Sequence, residues 1–271
     1  MTEDARFHAM VLAGSRGPDD PVALHAGSVS KAVVPVAGTP MLLRVLSALD
    51  GNPGIGGITV VGLADEARRD PSVEPSLAAR DLRFHPGAMS PAAAVVAALR
   101  DIPAHRPVLI TTADHALLRP DIVDWFLSAA VQTGADAVIG MAPYERVISI
   151  AGETRRTVTK LRDGRVCGCN LFALLTSRGR EAVSFFERLE RHRKHPARIA
   201  RTLGLRTLLR FALRRLTLSE GMERLSRLAG ARVTAVLLPF GEAAIDVDKP
   251  DDLAIAESLL AATGPGQSSG R

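Results

Sequence analysis

Short apolar runs broken by glycine or proline alternate along the first half of the chain with stretches of helical periodicity. Phe7 to Ala13 predicts a buried strand ended by Gly14, and Gly57 to Leu63, Pro107 to Thr112 and Ala135 to Met141 predict further strands. Asp81 to His85 predicts a shorter one. Between them, Pro40 to Leu49 predicts a helix with Thr39 as N-cap and Pro40 in its first position. Ser90 predicts the cap of a helix through Leu99, and Pro120 the start of another through about Val131. Such alternation predicts an α/β fold, a mostly parallel central sheet with helices on both faces. Ligands in such sheets lie beyond the carboxyl ends of the strands, which draws attention to the loops after Ala13 and Thr112.

The second half follows another pattern. Thr157 to Leu161 and Arg165 to Leu171 flank an Arg-Asp-Gly turn and predict a hairpin. Arg178 to Leu216 predicts helix, and Ser219 to Leu228 a further helix capped by Ser219. Arg232 to Leu238 predicts a last strand, followed by a loop and a helix with Asp251 and Asp252 in its first turn. The whole predicts one domain over 1–263, with a helical insertion over about 178–230 and a small, polar tail over 264–271.

Charge refines this picture in one place. The net charge of +5 is uneven: Arg178 to Arg215 holds twelve Lys/Arg against three Glu, leaving the remainder of the chain acidic. From Ile199 onward, Leu203, Leu205, Leu208, Leu209, Phe211, Leu213 and Leu216 alternate with arginines. That segment, over about 196–216, fits either an anionic membrane surface or a helical insertion packed on its own domain or at a homodimer contact. With aromatics at 4% of residues there is no stacking platform, and nucleic acid is not an expected partner. No run of eighteen apolar residues predicts a transmembrane helix, and the first ten residues lack the pattern of a signal peptide. The two cysteines, Cys167 and Cys169, are too closely spaced for an ordinary disulfide and read as residues on one face of a strand. A cytoplasmic location is expected, peripheral to the inner membrane face if the basic segment binds lipid.

The stretch Val11 to Leu42 carries the candidate chemistry. A glycine-rich turn after a first strand exposes backbone N–H groups that bind phosphate oxygens, though a solvated loop has the same composition. Neither the P-loop nor the dinucleotide glycine spacing is present. Arg16 and Lys31 add positive charge. Asp114, at the end of a strong strand, suits a hard cation or a loop cap. In "AIDVDKPDDL", Asp246 and Asp248 stand two residues apart, on one side of an extended chain.

Together, "LAGSRG", "SKAVVPVAGTPMLLRVL", "LITTADHALL" and "AIDVDKPDDL" resemble the nucleotidyltransferases of the glycosyltransferase-A-like fold, including MobA-like and sugar-phosphate-type NTP transferases. Leu12, Ala13, Gly14, Arg16 and Gly17 match the opening of the family signature, and Lys31, Pro35, Gly38, Pro40 and Met41 its close. Ser15 replaces a usual glycine, Ala32 replaces the proline that often follows the lysine, and Pro18 to Ser30 lengthen the gap. The resemblance implies that Leu12, Ala13, Gly14 and Ser15 bind nucleotide, with Gly87 and Ser90 reading the base. It implies that Arg16 and Lys31 hold phosphates, and that Asp114, Asp246 and Asp248 hold Mg²⁺. Asn170 is an implied acceptor contact, and Lys160 and His115 are further candidates for one. For Ser90 a helix cap, for Lys160 a solvated strand charge, and for His115 a surface histidine are the structural alternatives.

The implied activity is Mg²⁺-dependent transfer of a nucleoside monophosphate from an NTP to a phosphorylated small molecule or lipid head group, releasing pyrophosphate. The ending Asp-Val-Asp-x-Pro favours CTP. The alternatives are a glycosyltransferase of the same fold and a nucleotide-binding, membrane-associated protein without turnover.

Overall fold

The computed structural model describes residues 6–15, 19–152, 156–191 and 204–262. Its centre is a sheet built around β1 (Phe7–Leu12), which pairs in parallel with β4 (Ile55–Val61) on one side and β6 (Val108–Thr112) on the other. Beyond β4 lies β5 (Leu82–His85), also parallel. On the other flank β9 (Gly164–Leu174) runs antiparallel between β6 and β7 (Ala137–Pro143), and β10 (Val233–Leu237) closes the order β10-β7-β9-β6-β1-β4-β5. A short β8 (Thr159–Leu161) pairs with β9 across the predicted hairpin turn. Two-residue strands β2 (Pro35–Val36) and β3 (Thr39–Pro40) form a separate ribbon, its turn made by Ala37 and Gly38, both at positive φ.

The period-2 alternation of β1 sorts the core into two layers. Ala9 and Val11 pack with α2 (Met41–Asp50) and α6 (Pro120–Thr133) through Leu42, Leu46, Ile122 and Phe126. Met10 and Leu12 face α5 (Pro91–Ala98) and α8 (Ser177–Arg191) through Ala94, Val95, Ala182 and Val183. The expected architecture, a mostly parallel sheet with helices on both faces, is therefore the observed one, with β9 as its antiparallel member.

Several local expectations change. The long polar gap is not all loop: α1 (Pro21–Ala26) forms within it, because Asp20 accepts from the Val22 and Ala23 amides and Gly27 ends the helix at φ 61°. Pro40, not Thr39, is the N-cap of α2, since Thr39 is held in the ribbon. Three helices absent from the sequence reading, α3 (Asp65–Arg68), α4 (Glu74–Ala78) and α7 (Tyr144–Ala151), are short enough to lack a readable period. The basic segment is interrupted: α8 ends at Arg191, residues 192–203 lie outside the described residues, and α9 spans Leu205–Ala212. The cap of α10 (Leu218–Ala229) is Thr217, which forms a reciprocal capping box with Glu220; Ser219 is inside the helix. The chain ends in α11 (Pro250–Ala262), and the predicted tail lies outside the described residues.

Cys167 and Cys169 are free and buried on one face of β9, where burial pushes both thiols up. Among the described residues no helix is long and apolar enough to cross a membrane.

A buried histidine on β1 makes the fold acid-sensitive. The His8 ring lies 2.8 Å from the Thr59 hydroxyl, and burial, reinforced by the charges of Arg106, Arg83 and Arg180, lowers its pKa to about 4. The unfolded chain then binds this proton at higher pH than the folded one. Stability from this group is present above about pH 6.5 and is lost as pH falls toward 4, by up to roughly 3 kcal/mol. Thermal melts from pH 7 to 4.5 should show a fall in Tm that His8→Gln reduces. An unchanged pH slope in that variant would remove His8 as the cause.

Candidate active site

Lys31 is placed by a single 3₁₀ turn, Lys31–Val33, whose preceding Ser30 accepts from the Ala32 amide while Val33 and Val34 are buried. Its stem is thereby anchored and its ammonium reaches the carboxyl edge of the sheet. There Nζ donates to Asp114 Oδ2 at 2.5 Å and to Asp248 Oδ1 at 2.7 Å. Asp114 follows β6, and Asp248 comes from the segment before α11. A backbone bond from the Val247 amide to the Asp114 carbonyl, 3.1 Å, holds these two segments side by side.

Asp246 completes the acidic cluster. Its Oδ1 accepts from Arg156 at 2.9 Å and its Oδ2 from Asn170 at 3.2 Å. Arg156, its side chain only 6% exposed, also reaches the Ala244 carbonyl at 3.1 Å and Asp252 at 3.2 Å. Asp252 in turn accepts from the Asp248 and Lys249 amides. It is thus both a first-turn acid and a clamp on the loop carrying Asp246 and Asp248. Asn170 reaches Asp246 because the β7–β9 register is irregular around it and its own φ is 49°, a conformation asparagine tolerates and one that redirects a side chain.

The electrostatics follow from this crowding. Burial acts against the Lys31 charge, but Asp114 and Asp248 outweigh it and hold the ammonium above its ordinary value. For Asp246, burial and then the charges of Asp114 and Asp248 push the carboxyl up, against the pull of Arg156. Asp114 and Asp248 are therefore brought to Lys31, and Asp246 lies within electrostatic reach of both acids. They do not form a cage: among the described residues no three metal-binding side chains converge on one point, and Asp248 is turned to Lys31. One feature does fit a cation. Asp114 Oδ1 is buried with no hydrogen-bond partner, although its carboxylate wants several.

The neighbouring half of the edge is made of glycine backbone. Gly14 follows β1, Gly62 follows β4 and Gly87 follows β5. A Cβ on Gly62, which is at φ 80°, would lie 3.2 Å from Gly14 Cα and 3.4 Å from Gly87 Cα. The three backbones thus touch, leaving open space above Gly14. Ala13 is buried and its amide donates to the Val61 carbonyl, Leu12 is half-buried, and Ser15 is exposed. Gly62→Ala is expected to strain a left-handed backbone and push on this floor, weakening nucleotide binding about tenfold and stability by about 1 kcal/mol. Titration calorimetry alongside a melt checks this; unchanged affinity would show that the floor is not used.

Other expected site residues are placed differently. Ser90 is the N-cap of α5, its hydroxyl accepting from the Ala93 amide at 3.3 Å. His115 is neither an exposed acceptor contact nor a surface histidine: the residue is 1% exposed, its ring beside Thr111, with burial lowering its pKa to about 4. A strand-end loop that turns back into the core explains this. Lys160 is exposed on β8 opposite Arg165, five residues along β9 from Asn170 and so about 17 Å away. It is not gathered with the acids. Arg16 lies outside the described residues.

An acidic cluster bridged by one lysine and a backbone floor of three glycines both sit at the carboxyl edge of the mostly parallel sheet, the edge at which α/β proteins bind their ligands. Known proteins narrow the class. The model of the MobA-like NTP transferase domain matches residues 9–236, and the chain belongs to that family. It is a nucleotidyltransferase. A 2-C-methyl-D-erythritol 4-phosphate cytidylyltransferase of Saccharopolyspora erythraea is 34% identical over 163 residues, 57% of this chain and 69% of that protein. A solved structure of a hypothetical transferase from Thermus thermophilus is 31% identical with a TM-score of 0.76, covering 92% of this chain and 99% of its own. A 4-diphosphocytidyl-2C-methyl-D-erythritol synthase of Anaerococcus prevotii shares the fold at 13% identity, with a TM-score of 0.57 and coverage of 95% and 97%.

Proposed function

We propose that this nucleotidyltransferase uses CTP and Mg²⁺ to cytidylylate a phosphorylated acceptor. The observation that carries the reading is the meeting of Lys31, Asp114, Asp246 and Asp248 at the glycine-floored edge. The similarity to a cytidylyltransferase supports CTP over other nucleotides. Asp114, through its unpartnered Oδ1, and Asp246 would hold Mg²⁺, with phosphate oxygens completing the shell, the usual way this ion is bound. When bound, the ion would neutralise charge on the transferring phosphate. Gly14 and its neighbours would seat the nucleotide by backbone contact. Lys31 would move from the aspartates to the phosphates as polyphosphate enters, trading one set of anionic partners for another.

An acceptor phosphate oxygen, already ionised, then attacks the α-phosphorus; the bond to the bridging oxygen of the β-phosphate breaks and pyrophosphate leaves. No protein nucleophile is required, and rate comes from alignment and fixed charge. Arg156 and Asn170 act as positioning residues, since both hold Asp246. A thermal-shift series with the four NTPs and Mg²⁺, followed by pyrophosphate release against phosphorylated polyols and sugars, tests the reading. A preferential CTP shift with pyrophosphate release is expected. Sugar transfer from a nucleotide sugar, or binding without turnover across the panel, would overturn it.

The chain is also proposed to meet an anionic membrane through the basic segment. Leu209, Phe211 and Leu213 are 57%, 43% and 55% exposed, with Arg206, Arg214 and Arg215 exposed among them. In the same region Thr207, Leu208 and Phe211 line a cavity with Met141 and Leu161, so the patch adjoins the β8–β9 hairpin. Sedimentation with phosphatidylglycerol vesicles, lost on Leu209→Ser/Leu213→Ser, is expected; self-association without vesicle binding would make it a dimer contact instead.

A further inference from the structure

Between α5, α8 and the sheet runs a slot of about 330 Å³ that neither the nucleotide floor nor the acidic cluster uses. Its floor includes Phe172, on β9 between β6 and β7. A phenylalanine on an interior strand belongs among the most covered positions of an α/β fold, yet Phe172 is 37% exposed. The helices above it explain the gap. α5 is built largely of alanine, and α8 presents Gly179 and Ala182 over this part of the sheet. Gly179 has no room for a side chain, because a Cβ there would meet the Asp136 carbonyl. The slot is thus kept open by small residues.

Its position relates it to the reaction. At the upper end it is lined by Leu12, the last residue of β1 before the nucleotide loop, and by Pro91 and Ala92 at the start of α5. At the lower end it is lined by Ala137 and Val233. Register places Ala137 level with Leu174, Val108 and His8, four residues below Leu12, so the slot is about 13 Å deep. Among the described residues Glu190 is the one charged residue along it, and its Oε2 accepts from the Ala92 amide at 3.2 Å. The described walls are therefore predominantly apolar. Pockets for small molecules have this size and character.

We propose that this slot receives an apolar chain of the acceptor, so that the substrate is an amphiphilic phosphate: an alkyl or prenyl chain lies along Phe172, Val183 and Phe186, and the phosphate emerges beside Leu12 at the acidic cluster. The proposal rests on the nucleotidyltransferase reading of that edge and names the substrate class it serves. The slot ends at Leu12, whose carbonyl accepts from the Ala113 amide next to Asp114, and this nearness to the reacting edge favours a substrate chain over a separate partner.

The test compares dodecyl phosphate, below its micelle concentration, with ethyl phosphate in calorimetric titrations of the full chain with CTP and Mg²⁺ present. Two variants act on the slot and leave the nucleotide site alone: Ala182→Phe fills it, and Phe172→Gln makes its partly exposed floor polar. The wild type is expected to bind dodecyl phosphate at least tenfold more tightly than ethyl phosphate, a preference that both variants abolish. CTP binding, measured on the same samples, is expected to stay within twofold. Equal affinity of the two phosphates for the wild type, with CTP still bound, overturns the slot and spares the nucleotidyltransferase reading. Loss of CTP binding and of Tm in both variants, in equal measure, marks the slot as ordinary core and overturns it as well. If the wild type binds no CTP, the failure lies in the reading of the edge itself.

Discussion

Asp114→Asn is expected to lower turnover by about a thousandfold while the protein still folds and binds nucleotide. The amide keeps the shape of the carboxylate and can still accept from Lys31, so the backbone link between the Asp114 carbonyl and the Val247 amide survives. What is lost is the negative charge beside a buried, unpartnered oxygen, the group best placed to hold a divalent ion. Removing one fixed electrostatic element aimed at a reacting phosphate costs about 10²–10³ in rate, and a metal ligand belongs at the upper end. The loss should appear in kcat, with the Mg²⁺ concentration for half-activity raised, and with Tm within a few degrees of the wild type. Asp248→Asn should be milder, about tenfold, because that side chain is 44% exposed and already turned to Lys31. Steady-state pyrophosphate release across a Mg²⁺ series checks both. A loss below tenfold at Asp114 would show that this carboxylate is only a partner for the lysine.

Lys31→Met should damage both stability and rate. The ammonium is largely buried between two carboxylates, and a third lies near enough to be pushed up by them. Deleting one partner of a buried ion pair leaves uncompensated charge, which costs about 3–5 kcal/mol, or about 10 °C in Tm for a chain of this size. Added Mg²⁺ should restore part of that loss, because a divalent ion replaces the missing positive charge. Turnover should fall by about 10²–10³ even at saturating CTP, and Lys31→Arg should remain at least tenfold impaired, since a planar fork does not reproduce a point charge between two acids. A Tm that falls without Mg²⁺ rescue, together with near-normal turnover, would make Lys31 a purely structural residue.

How much of this the sequence discloses depends on the range of the interaction. Strands with dense apolar runs, such as Val108–Thr112, and helices opened by proline, such as Pro120–Thr133, are legible because local chemistry decides them. The helix Pro21–Ala26 was equally local, with an aspartate cap and a closing glycine, but its six residues are too few to show a period beside so many polar neighbours. The site divides along the same line. Lys31, Asp114, Asp246 and Asp248 stand in motifs that the local sequence displays. Arg156 does not, because its contacts are Asp246 and Asp252, some ninety residues away. Gly62 is illegible for a similar reason: its contacts are the backbones of two other loops. Asn170, an expected acceptor contact, also holds Asp246, through an irregular strand register that no local pattern encodes.

The backbone link between Asp114 and Val247 spans nearly half the chain. During synthesis, β1, β4, β5 and β6 emerge and pair long before the Asp246–Asp248 segment leaves the ribosome, so the sheet gains its order while the reactive centre is still incomplete. Contacts of such separation close late. A chain halted before residue 246 would keep most of its apolar interior and its glycine floor yet hold an unmatched Lys31–Asp114 pair. On the proposed reading, turnover would therefore be gained only near the completion of folding, after the glycine floor has formed.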